Sequence, residues 1–225
     1  MAERLVKLPP LESGDRLTRS EFEQRYSAMP RLKKAELIEG IVYVASPLCY
    51  RSHGQPHLLL ITWLGTYCAA TPGVEAADAP TIRLDADNEP QPDAVLRLAT
   101  GGQSWISSDD YIEGAPELVV EIAAGSASYD LHDKLRVYRR NGVQEYIVWR
   151  TYSQQMDWFY LEDGEYKPQS PDARGILRSR QFPSLWLAAP ALLAGNLAEV
   201  LQTLQQGIAT PDHQRFVESL QSTPL

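Results

Sequence analysis

The chain has 225 residues, of which 44% are hydrophobic and 22% are charged, close to the averages of globular proteins. This composition excludes a disordered chain and a coiled coil, and scattered prolines and glycines predict many turns and short elements. The net charge of −8 argues against a protein that holds nucleic acid through its overall field. A net negative charge is still compatible with a local basic face or with a phosphate contact bridged by magnesium.

Membrane, secretion and disulfide signals are missing from the sequence. The apolar runs are far shorter than the ~18 residues of a transmembrane helix, and the first residues show no apolar core or cleavage site of a secretory signal. Two cysteines, Cys49 and Cys68, cannot form a disulfide framework and do not resemble a zinc site. We therefore expect a cytoplasmic protein with no membrane partner.

The first part of the chain predicts two helices and a hairpin. A capping box beginning at Thr18 predicts a helix that Pro30 ends. The segment AELIEGIVYVASP predicts two short strands that turn at Glu39 and Gly40. The apolar stretch HLLLITWLGTYCA predicts a largely buried helix over about 55–70.

The remaining chain alternates strands and helices. Strands are predicted near 79–84 and 93–98, separated by an acidic turn at 85–89 that we expect to face solvent. The apolar run 117–123 predicts a central strand covered on both faces. The later predicted elements, in order, are a helix over about 128–140 ended by Gly142, a strand at 145–150, a peripheral hairpin turning at Asp163-Gly164, a helix capped by Asn196 and a terminal helix beginning at Pro211.

This order predicts an α/β protein with a small mixed β-sheet flanked by helices, a peripheral hairpin and C-terminal helices. We divide the chain into an N-terminal extension (1–14), one domain (15–207) and a short C-terminal helical tail (208–225).

Glu121 is the one polar residue in the apolar segment LVVEIAA. Alternation along a strand places it on the face of Val119 and Ala123. An unpaired carboxylate there would be costly, so we expect it to contact a hydrogen-bond donor, a cation or a metal. An ion pair with a helix Arg or Lys would satisfy it equally well.

Three more polar residues stand beside apolar segments. Asp93 follows Pro92 at a strand start, Glu36 begins the first hairpin, and Lys134 lies next to the apolar stripe of the helix that follows Glu121. Each has an ordinary structural interpretation, as a turn residue, a strand-start residue or a solvated helix flank. Together they suit a magnesium site, in which carboxylates, water and phosphate hold the ion and a lysine orients an attacking water.

These residues resemble the PD-(D/E)XK nuclease superfamily, through Pro92-Asp93, Glu121 in an apolar strand, and Lys134 thirteen positions later. More narrowly, the chain is similar to the Uma-type family of putative restriction endonucleases from about Asp15 to Gly207. The similarity includes AELIEGIVYVASP, a histidine six residues after it, and the long stretch ELVVEIAAGSASYDLHDKLRVYRRNGVQEYIVW.

The resemblance implies a restriction-endonuclease-like fold and a metal-dependent endonuclease that hydrolyses phosphodiester bonds of DNA. It implies that Asp93 and Glu121 bind Mg²⁺ or Mn²⁺, and that Glu36 and Lys134 complete the catalytic set. His53 and Tyr138 are possible supporting residues.

The chain departs from the superfamily pattern at one position, because Ala123 stands where the lysine two places after the glutamate is usual. The resemblance implies that Lys134, on the following helix, reaches the same point.

A second hypothesis is a non-catalytic binding or assembly module that retains the nuclease fold, which the negative charge and the missing Glu-x-Lys spacing favour. The expected partner is nucleic acid, DNA first, and two copies could pair through the apolar C-terminal helix. Five basic residues could form either a phosphate-facing patch or a solvated helix face, and the sequence favours neither: Lys134, Arg136, Arg139, Arg140 and Arg150.

Overall fold

A computed structural model describes residues 8–125 and 129–222 of the chain. Its strands are β1 (Ala35–Ile38), β2 (Ile41–Val44), β3 (Val74–Asp78), β4 (Ile82–Arg83), β5 (Ala94–Leu98), β6 (Ser104–Ile106), β7 (Ile112–Gly114), β8 (Leu118–Ala123), β9 (Glu145–Arg150), β10 (Gln155–Glu162), β11 (Glu165–Pro168), β12 (Ile176–Arg178) and β13 (Trp186–Ala188). Its helices are α1 (Arg19–Ser27), α2 (Gln55–Ala70), α3 (Leu135–Asn141), α4 (Ala189–Leu193), α5 (Leu197–Ile208) and α6 (Pro211–Gln221). Two π-helical turns, Tyr50–Gly54 and Asp130–Lys134, lead into α2 and α3.

A six-stranded mixed sheet with the order β11-β10-β9-β8-β5-β3 organises the fold. Strands β8 and β9 are parallel, and the other neighbours in this sheet are antiparallel. The β1–β2 hairpin, the pair β12–β13 and the small sheet β4-β7-β6 lie around it. The mixed sheet flanked by helices confirms the predicted fold class.

Strand β8 is buried on both faces, as its apolar sequence predicts. Leu118, Val120 and Ile122 pack in the larger core with α2 and the C-terminal helices. Val119 and Ala123 pack in a second core on the opposite face of the sheet. The alternation along β8 therefore turns Glu121 toward this second face.

The helix ends follow the capping signals in the sequence. Thr18 and Glu21 form a reciprocal capping box at α1, and the Asn196 and Thr210 side chains accept hydrogen bonds from the first turns of α5 and α6. Gly142 closes α3 with a φ of +85°, which is why a glycine is required there.

The acidic turn at 85–89 faces solvent only in part: Ala86 and Asp87 are exposed as expected, whereas the end of the turn packs against the first hairpin. Asn88 and Glu89 are buried. The Asn88 Oδ1 atom accepts a hydrogen bond from the Glu39 amide at 2.8 Å, and the main chain of Glu89 exchanges two hydrogen bonds with Leu37. The neighbouring strand is also shorter than predicted: β4 has two residues and pairs with β7 outside the main sheet.

The basic residues that we considered both for a phosphate-facing patch and for a solvated helix face are paired with acidic side chains. Arg136 pairs with Asp133, Arg140 with Glu39 and Asp85, and Arg150 with Asp157. Arg139 pairs with Glu165, while Lys134 is buried. The helix that carries Arg136, Arg139 and Arg140 is predicted to begin at about Ser128, and this residue lies outside the described residues.

The C-terminal helices pack inward. Val200 and Leu204 of α5 are buried in the larger core, and Phe216 and Leu220 of α6 pack against it. The apolar face that we considered for pairing two copies is therefore used within the chain. Across residues 8–125 and 129–222, every helix is too short or too polar to cross a membrane.

Candidate active site

A cavity of about 460 Å³ opens where the parallel strands β8 and β9 end. The carboxyl ends of parallel strands are common ligand sites, because the loops that follow diverge there. The start of β1, the turn before α2 and the π-helical turn before α3 supply other parts of the wall.

Asp93 and Glu121 lie opposite each other across two neighbouring strands. Ala94 of β5 pairs with Val120 of β8 in antiparallel register, so the next pair along this ladder joins Asp93 and Glu121. Side chains of directly opposed residues point to the same face of a sheet. Both residues line the cavity, and they are only 4% and 3% exposed.

Asp93 is held as an anion. Its Oδ2 atom accepts a hydrogen bond from the Ile122 amide at 2.7 Å, and its Oδ1 atom lies 3.3 Å from His53 Nε2 and 3.7 Å from Lys34 Nζ. Burial acts to raise the pKa of Asp93, but the His53 hydrogen bond, the charges of Lys34 and His53, and the Ile122 amide lower it to about 2. The carboxylate is therefore ionised at neutral pH.

Two histidines of the α2 region hold the same aspartate. His57 follows His53 by four residues, and its Nε2 atom lies 2.9 Å from the Asp93 main-chain oxygen and 3.0 Å from Asp78 Oδ1. Both of these atoms only accept hydrogen bonds, so the Nε2 atom of His57 carries the hydrogen. The pair fixes both the side chain and the main chain of Asp93.

Lys134 lies deep in the cavity wall, and its ammonium group joins three acidic side chains. The Nζ atom is 2.7 Å from Glu121 Oε1, 2.8 Å from Glu36 Oε1 and 3.9 Å from Asp130 Oδ1. The Lys134 side chain is 3% exposed. The sequence-predicted amine thus reaches Glu121 from the following helical segment.

Glu36 and Glu121 each have a further hydrogen bond. The main-chain N–H of Gln91 donates to Glu36 Oε1 at 2.7 Å, and the Tyr138 hydroxyl donates to Glu121 Oε1 at 3.0 Å. The Tyr138 side chain is buried in the second core, so it supports Glu121 from beneath the cavity.

The buried charges change the protonation of this cluster. Burial raises the pKa of Glu121 to about 8; Lys134 opposes this shift, and the charges of Asp130, Glu36 and Asp93 add to it. Burial acts to lower the pKa of Lys134, yet the charges of Glu121, Glu36 and Asp130 raise it well above its usual value. Lys134 is therefore a permanent cation, whereas Glu121 can take up a proton near neutral pH.

Tyr129 also lines the cavity, and its ring lies 5.5 Å from Lys134 Nζ. Its hydroxyl oxygen is buried and has no hydrogen-bond partner within the part of the chain that the structure describes.

The donor set of the cavity suits a hard divalent cation. Asp93 and Glu121 supply carboxylate oxygens, and Mg²⁺ commonly binds one or two carboxylates and completes its shell with water and phosphate. Among residues 8–125 and 129–222, three or more acidic, histidine or cysteine side chains are nowhere grouped as a complete metal cage. The chemistry therefore fits a metal held jointly with water and substrate.

All six predicted site residues meet at this place. Glu36, His53, Asp93, Glu121 and Lys134 line the cavity, and Tyr138 contacts Glu121 from outside it.

Sequence reasoning missed Lys34, His57, Tyr129 and Asp130. Three of these had a detectable signal. Lys34 lies two residues before Glu36, directly ahead of β1, and His57 and Asp130 are four residues from His53 and Lys134 on helical segments.

The comparisons with known proteins agree with this fold. One solved structure, a putative nuclease belonging to DUF820 from Anabaena variabilis, superposes with a TM-score of 0.59 at 14% identity. The match covers 77% of this chain and 97% of that one. No curated protein matches the sequence. Residues 19–190 match the Uma2 family, which is described as "Putative restriction endonuclease". Since the match spans more than half of the sequence, the chain belongs to the Uma2 family.

Proposed function

We propose that the chain is a metal-dependent nuclease that hydrolyses phosphodiester bonds of nucleic acid, with DNA as the first substrate to test. The observation that carries this proposal is that Asp93 and Glu121 lie opposite each other on neighbouring strands and line one cavity. The Lys134 amine lies 2.7 Å from Glu121 in the same cavity. Membership of the Uma2 family, whose description is "Putative restriction endonuclease", supports the same reaction.

In this proposal Asp93 and Glu121 hold Mg²⁺ or Mn²⁺. The bound ion supplies Lewis-acid stabilisation of the negative charge that develops on the phosphate. Asp93 is ready for this role because it is already ionised. Glu121 must lose the proton that burial favours, so we expect cation binding to strengthen as the pH rises toward about 8.

The other site residues orient the attacking water, stabilise charge on the phosphate and hold the two carboxylates in place. Lys134 remains protonated and cannot act as a base, so its role is to orient the attacking water and to stabilise charge on the phosphate. Glu36 shares the Lys134 ammonium group and adjusts its position. His53 and Tyr138 hold the two carboxylates through the contacts described above.

The proposal is tested with Asp93→Asn and Glu121→Gln, which change the charge of each ligand while keeping its shape. Both variants should lose Mg²⁺-dependent cleavage of plasmid and oligonucleotide DNA, measured on gels, because each removes one carboxylate donor. Circular dichroism spectra should remain those of the native fold. Asp212→Asn is the matched control, since Asp212 is exposed on α6, and this variant should cleave normally.

Cleavage that persists at the native rate in both site variants would refute the assignment. Cleavage that persists in EDTA would refute the metal dependence.

The alternative, a non-catalytic module with the nuclease fold, has one specific observation in its favour. The Lys134 ammonium group already satisfies Glu121 and Glu36, so these two carboxylates are stable without a metal. Calorimetry with Mn²⁺ separates the two functions. The nuclease should bind the ion and lose this binding in Glu121→Gln, whereas the module need not bind it.

We also propose that the chain pairs with a second copy of itself, so that the dimer carries two cavities. The apolar residues of α5 are buried within the chain, so the pairing surface would lie elsewhere. Sedimentation of the protein with and without DNA tests this point, and a monomer in both samples would contradict it.

A further inference from the structure

A second cavity of about 190 Å³ lies beside the candidate active site. The two share their boundary along the chain: Thr151 lines the smaller cavity, and the next residue, Tyr152, lines the larger one. Arg51 and Ser52 are divided in the same way. Consecutive Cα atoms are about 3.8 Å apart, so the walls of the two cavities adjoin each other at these two places in the chain.

Unsatisfied hydrogen-bonding groups mark the smaller cavity as a site for a polar ligand. The indole Nε1 of Trp149 and the hydroxyl of Thr151 are buried without a hydrogen-bond partner among the described residues. The two side chains are only 3% and 6% exposed. Buried donors of this kind are normally paired, so the cavity offers two groups that a ligand could satisfy.

The entrance carries a cation and amide side chains. Arg51 is exposed and forms no ion pair within residues 8–125 and 129–222. Gln55 and Gln154 complete the polar lining, whereas Leu59 and Leu192 supply apolar walls. Apolar walls with donors, amides and a single cation suit a flat heterocycle that carries a phosphate.

Aromatic side chains stand exposed at the boundary of the two cavities. Tyr152 is 75% exposed and Leu48 is 66% exposed, and both line the larger cavity. Tyr50, at 76%, lies between Cys49 of the larger cavity and Arg51 of the smaller one in the sequence. A clustered exposed apolar surface next to a ligand site indicates binding, because each ring would otherwise be better buried. Aromatic faces stack on unpaired bases irrespective of sequence.

The scarcity of free cations argues against a duplex on this face. The carboxylates of the larger cavity outnumber its lysines, and the arginines on α3 and β9 are neutralised by acidic partners. A duplex bound through its backbone needs many phosphate contacts, whereas a single strand can bind by stacking with fewer.

We infer that the chain takes its substrate as a single strand. The nucleotide beside the scissile phosphate stacks on Tyr152. The base or sugar of this nucleotide is held by Trp149 and Thr151 in the smaller cavity. Arg51 contacts the next phosphate. This inference rests on the proposed function for the position of the scissile phosphate, and it adds the substrate class and a nucleotide subsite.

The test is the binding of labelled strands of about 12 nucleotides, oligo-dT in one arm and oligo-U in the other, measured by fluorescence anisotropy in EDTA and low salt. Tyr152→Ala should weaken binding about tenfold or more, because it removes a stacking surface. Tyr152→Phe should bind normally, since it retains the ring. Thr151→Val should weaken binding about two- to tenfold through the loss of one hydrogen bond.

Trp105→Ala is the matched control, because Trp105 is 59% exposed on β6, outside both cavities, and this variant should bind as the parent does. A blunt duplex of the same length should bind more weakly than either strand. The inference is overturned if Tyr152→Ala binds as tightly as the parent, if the duplex binds at least as tightly, or if neither strand binds.

Binding without metal is measured separately from cleavage, so the two proposals can fail separately. An active nuclease whose Tyr152→Ala variant binds strands normally would overturn the subsite alone. Tyr152-dependent binding of strands by a protein that never cleaves would support the subsite and overturn the proposed reaction.

Discussion

Lys134 carries its charge in the protein interior, where it is surrounded by more acidic groups than it can neutralise. Its Nζ atom contacts Glu121 and Glu36 at 2.7 and 2.8 Å, and Asp130 lies 3.9 Å away. Charges removed from water need strong pairing to be tolerated. The site thus depends on one cation for the stability of three carboxylates.

At this scale we predict that Lys134→Met destabilises the fold by about 3–5 kcal/mol, because buried carboxylates lose their counter-charge while the packing volume is kept. The measurement is urea unfolding at neutral pH. Adding Glu121→Gln to this variant should recover part of the loss, since it removes one of the repelling charges. Lys34→Met is the control, because Lys34 is partly exposed and contacts the smaller charge cluster at Asp93.

An unchanged unfolding midpoint in Lys134→Met would contradict this account.

The elements that hold the site were largely predictable because their sequence signals are local. The alternation in LVVEIAA placed Glu121 on the face of Val119 and Ala123, and the structure confirms it. The hairpin before Pro47, the capping box at Thr18 and the left-handed cap at Gly142 were confirmed for the same reason.

Elements that depend on distant partners were not predictable in this way. Strands β6 and β7 have three residues each; they pair with one another, and β7 also pairs with β4. A run of three residues carries too little periodicity to identify a strand. The burial of Asn88 and Glu89 in the acidic turn at 85–89 was not predicted for a similar reason, because it depends on contacts with the distant hairpin at Leu37 and Glu39.

That turn leads to a prediction about the packing of α1 against the hairpin. Burial, together with the hydrogen bond and charge of Glu23, raises the pKa of Glu89 to about 8. A carboxyl group whose pKa is higher in the folded state than the usual 4.5 stabilises the fold fully below pH 4.5. This contribution is lost as the pH rises through about 8.

We therefore expect the free energy of unfolding to fall between about pH 5 and pH 9, and Glu89→Gln to reduce this fall by about 1–3 kcal/mol. Urea unfolding at several pH values measures it. Glu121 acts in the same direction, so part of the fall should remain in Glu89→Gln. Glu218→Gln on exposed α6 should leave the profile unchanged, and a Glu89→Gln profile identical to that of the parent would contradict the prediction.

The whole molecule is acidic, and its pairing of charges limits how it can meet a polyanion. The net charge is −8, and the arginines of α3 and β9 have acidic partners. Lys34 and Arg51 are the cations that flank the two cavities on the proposed path of the strand. Long-range attraction therefore contributes little, and short-range stacking, hydrogen bonding and the metal must supply the affinity.

This balance predicts a shallow dependence of binding on salt. Each phosphate contact on a single strand contributes about −0.7 to the slope of log Kobs against log salt, so two contacts give about −1.4. Anisotropy titrations with oligo-dT between about 25 and 200 mM NaCl measure the slope. Arg51→Ala should make it less steep by about 0.7, because one phosphate contact is lost. Arg136→Ala should leave it unchanged, since Arg136 pairs with Asp133 on the outer face of the helical segment. A slope steeper than about −4 would require a basic surface that the pairing of these charges does not provide.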